Sequence, residues 1–366
     1  MFHFGIEHEV AFIDNAGNFA DFSSVTFADF NRIIEKLPIY KEDYPSLRIG
    51  DAGIRQKRWY IEGFERFADS EKVIDCIPKG IEIRTTINTD IHSTIAELSE
   101  SFRLLKEAAA EEGFLPVLIS FNPYQDEFVP NPPFNEYEIK QIQASAETQT
   151  EKIAMLTFGP DLNISMVGLT TQRIIDIGRK LTYYSPYIIP FSYSSPFYKG
   201  SVWEGFSVRT FMRTGKRTAA RVFVEKREEL IDSFPSLTEI ARIPAEVGRI
   251  EFKAFDSCSD FSIYAGLLAL LKGIALDESL PGRATIPDAA KHQMSAQEGF
   301  DNEEIFTNAT EILEAVEIAL ENDSDLNLLA PLKTLLEKRE SPAHELLRLY
   351  KHTGSIEAVL KQTYSS

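Results

Sequence analysis

Four short segments carry charged residues two positions apart between aliphatic ones: Gly5-Ile6-Glu7-His8-Glu9-Val10, Ile81-Glu82-Ile83-Arg84, Asp161-Leu162-Asn163-Ile164-Ser165-Met166 and Arg249-Ile250-Glu251-Phe252-Lys253. As strands, they place Glu7 with Glu9, Glu82 with Arg84, Asp161 with Asn163, and Arg249 with Glu251 and Lys253 on one side. Ile6, Val10, Ile81, Ile83, Leu162, Ile164, Ile250 and Phe252 then point the other way, toward a core. In one sheet, the polar face would gather the carboxylates of Glu7, Glu9, Glu82 and Glu251. Two like charges about 4 Å apart repel by roughly 4 kcal/mol at an effective dielectric near 20. Converged carboxylates must therefore take up protons, arginines or metal ions. Ligation by carboxylate oxygens suits Mg²⁺ or Mn²⁺ better than zinc, which favours His and Cys. Mg²⁺ commonly shares itself between one or two carboxylates and nucleotide phosphates, so these residues read as a phosphoryl-chemistry site.

A second set is basic: Arg84, Arg209, Arg213, Arg217, Arg221, Arg249 and Lys253. A guanidinium binds carboxylate or phosphate through a planar fork, and near a metal it would hold an anionic substrate and steady charge on a transferring phosphoryl group. Arg84 and Arg249, beside glutamates on strands, are expected to work this way. For Arg213 and Lys216, surface pairing with the excess acids is the expectation. His8 alternates away from Glu7 and Glu9, as a core or underlying residue would. Neither a P-loop nor a Gly-x-Gly-x-x-Gly segment occurs, so phosphates would be held by metal and arginine. No Ser-His-Asp spacing stands out, and neither cysteine has the basic neighbour that marks a nucleophile.

The elements that must position these groups are partly legible. From Asp90 to Gly113, Ile91, Ile95, Leu98, Phe102, Leu105 and Ala109 recur at helical spacing, with Asp90 able to cap the start and Gly113 the end. A second helix is expected from Thr171 through Tyr184, and a buried helix from Phe261 to Ala275. The segment Phe121–Phe134 reads as a surface loop. Glu136–Met155 reads as a polar helix or a lid, and Tyr187–Phe197 as a buried turn entering an active-site loop. Helices over Glu303–Leu320, Leu326–Lys338 and Ala343–Tyr350 make a helical C-terminal part, residues 300–366, of one catalytic domain spanning 1–366. Glu303-Glu304 and Glu317-Glu321 fit solvated helix surface.

The net charge of −18, from 38 basic and 56 acidic residues, argues against nucleic acid and anionic membranes as partners. Cys76 and Cys258 alone cannot form a disulfide framework, so a cytoplasmic protein is expected, and whether the two pair is left open. No run approaches the roughly 20 apolar residues of a membrane helix. The first motif lies within a few residues of Met1, which leaves no room for a leader peptide.

Taken together, Gly5-Ile6-Glu7-His8-Glu9, Glu82-Ile83-Arg84-Thr85, the Ser194-Ser195-Pro196-Phe197 turn with Gly200 and Arg209, and Arg249-x-Glu251-x-Lys253 resemble the carboxylate-amine ligases of glutamate-cysteine ligase family 2. The likeness spans roughly residues 5 to 256. It implies an α+β, glutamine synthetase-like catalytic domain whose curved antiparallel sheet cups ATP and magnesium, with helices packed on its outer face. By position, Glu7, Glu9, Glu82 and Glu251 would be metal ligands. Arg84, Arg249 and Lys253 would meet phosphate or the substrate carboxylate, and Asn163, Arg209, Arg217 and Arg221 would hold the nucleotide. Where many relatives carry His-x-His, this chain has Asp161 and Asn163, closer to the Gln-x-Asn of plant-type enzymes. Lys253 replaces a more usual Arg.

The resemblance implies ATP-dependent amide formation through an acyl phosphate, with glutamate, and cysteine or another amine, as small-molecule substrates. A homodimer is in keeping with it. Two alternatives remain open at this point: a phosphagen-type guanidino kinase, and a nucleotide-binding regulator without turnover.

Overall fold

The computed structural model describes residues 1–40 and 58–362; the remainder of the proposed 1–366 domain, including the last four residues of its helical part, lies outside the described residues. The strands are β1 (Phe2–Asp14), β2 (Phe19–Ala20), β3 (Trp59–Phe67), β4 (Val73–Arg84), β5 (Phe114–Val117), β6 (Pro160–Met166), β7 (Phe197–Tyr198), β8 (Ser201–Val202), β9 (Ala220–Val224), β10 (Thr238–Ile240) and β11 (Arg249–Phe252). The α-helices are α1 (Phe27–Ile34), α2 (Ile91–Glu111), α3 (Glu136–Gln143), α4 (Glu151–Ala154), α5 (Thr171–Ile188), α6 (Val208–Arg213), α7 (Phe261–Leu276), α8 (Ala289–Glu298), α9 (Glu303–Ala319), α10 (Ala330–Lys338), α11 (Pro342–Thr353) and α12 (Ile356–Gln362).

Strands run β10-β9-β11-β6-β1-β4-β3 across the main sheet, while β2 and β5 also pair with β1. Every pairing is antiparallel except β10 with β9. The four sequence motifs are β1, β4, β6 and β11, side by side in the middle of this sheet. Ile6, Val10, Ile81, Ile83, Leu162, Ile164, Ile250 and Phe252 are all buried in one hydrophobic cluster. Helix α2 lies against β1 and β4, α7 against β6, and α5 against β9 and β11. The same cluster runs on into α9, α10, α11 and α12. Among the described residues no helix is long and apolar enough to cross a membrane.

Local chemistry explains the helix limits. Asp90 accepts the Ser93 N–H and starts α2, as its sequence suggests. Helix α5 passes the expected end at Tyr184 even though Pro186 sits inside its last turn. A proline there removes the N–H that would reach Thr182. The Ser185 hydroxyl donates to the Thr182 carbonyl at 2.7 Å instead. Residues 187–197, expected as a buried turn, are the end of α5 followed by a short 3₁₀ turn over Ile189–Ser192. The Glu136–Met155 segment folds as α3, a 3₁₀ turn and α4, and is tied to β3 by Arg66, whose Nε donates to Glu138 at 2.7 Å.

Candidate active site

The register of the sheet sets the site. Opposite Glu9 stands Glu82, and opposite Glu7 stands Arg84 on one side and Asp161 on the other. Glu251 faces Asn163 and Arg221, and Tyr60 faces Glu82. Because side chains alternate, this pairing sets one continuous polar row across six strands, β3 to β9. The row floors a cavity of about 390 Å³, within the roughly 300–1,000 Å³ usual for small-molecule sites. Its lining includes eight acidic and eight basic side chains, so the cavity is strongly charged yet formally balanced.

Two carboxylate triads stand on the floor. Glu7, Asp161 and Glu251 form one, and Glu9, Glu62 and Glu82 the other, each with ligand oxygens within 4.8 Å of one another. A hard cation bonded at 2.0–2.1 Å has opposite ligands roughly 4.2 Å apart. Small rotations would close either triad on one ion, so the donors present fit an oxygen-ligated divalent metal. The four glutamates read from sequence thus divide between two places, and Asp161 and Glu62 complete them. Glu62 is the residue the sequence reading lacks, although Trp59-Tyr60-Ile61-Glu62 has the same alternation as the other strands. Asp161 falls on the polar side of its strand by sequence, at a place that relatives fill with histidine.

The charges are differently compensated in the two triads. In the first, Arg249 Nη1 donates to Glu7 at 2.9 Å and to Asn163 Oδ1 at 3.0 Å. The Lys253 ammonium binds Asp161 closely and lies 3.2 Å from Glu251. Burial opposes ionisation of Glu7, but Arg249, Arg84 and Lys253 together outweigh it and hold the carboxyl below its ordinary range. In the second triad, Lys79 Nζ donates to Glu9 at 2.7 Å and spends its other donors on the carbonyls of Ala154 and Thr157. Arg84 Nε donates to Glu82 at 2.7 Å, and its guanidinium lies 3.8 Å from the Tyr60 ring centre. Burial pushes Glu82 well above the usual carboxylate range, and the neighbouring Glu62, Glu7 and Glu9 add to that push against Arg84. Glu62 is raised as well, first by burial and then by Glu9, with Lys79 opposing.

The adjoining wall is arginine. Arg209 and Arg213 are one turn apart on α6, Arg217 follows in the loop and Arg221 is on β9, all lining the cavity. Arg209 is 2% exposed; its Nη1 donates to the Phe255 carbonyl at 2.8 Å, its Nη2 to that of Lys253 at 3.0 Å, and Asp256 lies 3.7 Å away. Arg217 donates to the Thr150 carbonyl at 2.9 Å, whereas Arg221 bridges Glu239 and Glu147 at 2.7 and 2.9 Å. Arg213 corrects the sequence expectation: it lines the cavity and donates to the Lys253 carbonyl at 3.1 Å, rather than pairing with acids at the surface. Lys216 does stay exposed. Burial pushes the Arg213 guanidinium well down from its ordinary value, and Arg209 and Arg217 add to the effect. The Nε donors of Arg209, Arg217 and Arg221 have no hydrogen-bond partner among the described residues. A crowded, underused guanidinium wall is chemically suited to a polyanion.

Gly159 joins floor and wall, a role the sequence did not suggest. Its N–H donates to Glu9 Oε2 at 3.0 Å, and a Cβ at this position would stand 2.5 Å from Arg209 Nη2. His8 is buried on the far side, its Nε2 2.8 Å from the Tyr264 hydroxyl, and burial pushes it down to about 4. Cys76 and Cys258 are free thiols.

No protein-family model matches the sequence, and no match is found among curated proteins. Solved structures do match. A bifunctional glutathione synthetase from Pasteurella multocida superposes with a TM-score of 0.61 at 11% identity, over 99% of this chain and 51% of that one. The present chain therefore spans about half the length of that enzyme. The glutamate–cysteine ligase of Francisella tularensis, solved with AMP, gives 0.56 at 10% identity over 99% and 88%. The ligase PafA in complex with the ubiquitin-like protein Pup gives 0.51 at 11% identity over 99% and 68%. At such identities the shared property is the fold, and that fold is the α+β, glutamine synthetase-like architecture implied by the sequence resemblance, with its antiparallel-rich sheet and outer helices.

Proposed function

We propose that the chain is an ATP-dependent carboxylate-amine ligase, with glutamate and cysteine as the first substrates to test. One observation carries the reading: two carboxylate triads and a group of arginines line a single balanced cavity. Divalent ions on the floor would leave that cavity net positive, which suits a triphosphate and an anionic acid together. The fold shared with three amide-forming or peptide-linking ligases is consistent with it.

In this reading Glu9, Glu62 and Glu82 would hold Mg²⁺ or Mn²⁺, whose chemistry is to offset charge on the phosphate oxygens, and Glu7, Asp161 and Glu251 form the second place on the floor where positive charge can sit. Arg209, Arg213, Arg217 and Arg221 face the nucleotide phosphates, and Asn163 fixes Arg249 beside them. Arg84 and Arg249 orient the substrate carboxylate for in-line attack on the γ-phosphorus, which releases ADP and leaves an acyl phosphate. The amine nitrogen then attacks the acyl carbon, loses a proton, and expels phosphate carrying an oxygen that began in the carboxylate. The half-buried floor limits access of water to the acyl phosphate. Residues 1–366 are taken as one catalytic unit whose C-terminal helices α9 and α10 pack on α7, with α9 also against α5.

Phosphate release from Mg-ATP and glutamate, with cysteine and other amines added singly, tests the reading. Phosphate and amide appearing together only when acid and amine are both present is the expected result. ADP with a phosphorylated guanidine, or tight ATP binding with no phosphate across the panel, would overturn it. Glu7→Gln is expected to abolish turnover while thermal unfolding stays little changed.

A further inference from the structure

The two triads differ in what already sits between their oxygens. In the triad of Glu9, Glu62 and Glu82, Lys79 donates to Glu9 and turns its other donors to the Ala154 and Thr157 carbonyls, and Arg84 donates to Glu82 while stacking on Tyr60. Around Glu7, Asp161 and Glu251 an ammonium is part of the cluster. Lys253 Nζ bridges Asp161 and Glu251, and Arg249 takes Glu7, so each of the three carboxylates has a cation. An ammonium and a hard divalent ion seek the same carboxylate oxygens, and two cations within a few ångströms of each other repel as strongly as two anions do.

We propose that Lys253 is a built-in substitute for a divalent ion: it fills the Glu7–Asp161–Glu251 triad with a fixed positive charge and lowers by one the number of divalent ions the cavity takes up. The side chain is anchored for this task. Its own backbone N–H donates to the Ala219 carbonyl at 2.8 Å, and its carbonyl accepts from both Arg209 and Arg213. The backbone beneath the ammonium is therefore fixed, and the ammonium itself leaves its place only by giving up Asp161 and Glu251. Asp161 completes the device, since a neutral residue at that position would leave Lys253 only Glu251 among the triad carboxylates it now contacts. This deepens the metal-nucleotide reading above, because it concerns the metal demand of the same cavity.

The test counts Mn²⁺ bound per chain, by electron paramagnetic resonance of the free ion, with no nucleotide or substrate present. Lys253→Met is expected to bind one Mn²⁺ more than the unaltered protein, and Lys253→Arg, which keeps the charge, the same number as the unaltered protein. Equal Mn²⁺ binding in Lys253→Met and the unaltered protein overturns the proposal, as does a Lys253→Arg variant that gains an ion. Should Lys253→Met lose its cooperative thermal transition, Lys253→Gln carries the same expectation of one additional ion and the same contrary result. Because the readout is metal stoichiometry, failure here is separate from failure of the ligase reading, which shows as missing amide.

Discussion

Glu251 and Phe252 are neighbours in sequence and belong to opposite worlds. Glu251 looks into a cavity lined by sixteen ionisable acidic and basic side chains, while Phe252, fully buried, belongs to the hydrocarbon layer between the sheet and its helices. The same contrast recurs at Ile6 and Glu7 and at Glu82 and Ile83. On the helix side, burial of apolar surface stabilises the fold. On the cavity side, burial raises Glu62, Glu82 and Glu251 above the usual carboxylate range, a cost of keeping like charges together before any ligand arrives. The lesson is a division of labour by strand alternation: one face holds the structure, and its reverse holds a charged site that would be costly alone.

That division can be broken by substitution at adjacent positions. Phe252→Ala is expected to lower stability by about 3–5 kcal/mol, read by denaturant unfolding, with kcat per folded molecule little changed. Glu251→Gln should do the reverse: turnover falls by roughly 100-fold or more, while the melting temperature holds or rises slightly because a buried charge is removed. Equal losses of stability in both variants would show that the two faces are not separable.

A smaller effect sharpens the comparison on the helix side. His292 on α8 is buried with its Nε2 2.7 Å from Ser185 Oγ, and burial pushes it from 6.5 down to about 4. Between those values the unfolded chain takes up a proton that the folded chain refuses. Stability contributed by the neutral ring is therefore present above about pH 6.5 and is lost as pH falls toward 4, by up to roughly 3 kcal/mol. His292→Gln should flatten this acid limb in urea unfolding series; an unchanged slope would mean the ring titrates normally in the fold.

The smallest effect concerns the seam between floor and wall. Gly159→Ala places a methyl group against Arg209 while leaving every carboxylate in place. Turnover is expected to fall about 10-fold, as small misplacements in a positioned site do, with Mn²⁺ binding unaltered. Unaltered turnover would remove Arg209 from the working wall.

How much of this was written in the chain follows from the same alternation. The floor was legible because Glu7, Glu9, Glu82, Asp161, Asn163, Arg249 and Glu251 each sit one residue from a buried aliphatic side chain, and the period of two carries that information locally. Helix α2 was legible through its stripe and its Asp90 cap. Arg213 was not, since its place depends on the Lys253 carbonyl, 40 residues away in sequence, and α6 spans only six residues. Glu62 is hard to read because β3 as a whole is only partly alternating, and Lys79 because its partners Glu9, Ala154 and Thr157 lie 70, 75 and 78 residues away in sequence. The length of α5 was misjudged because the Ser185 hydroxyl repairs the gap that Pro186 opens.

The claim on which the rest depends is that a carboxylate oxygen attacks the γ-phosphorus of ATP above the acidic floor. Glutamate labelled with ¹⁸O in its carboxylates, turned over with Mg-ATP and an accepted amine, tests it directly. The account expects inorganic phosphate that carries one ¹⁸O atom per amide formed. Phosphate free of label would mean that water, and not the carboxylate, attacks, and would contradict the ligase reading of this site.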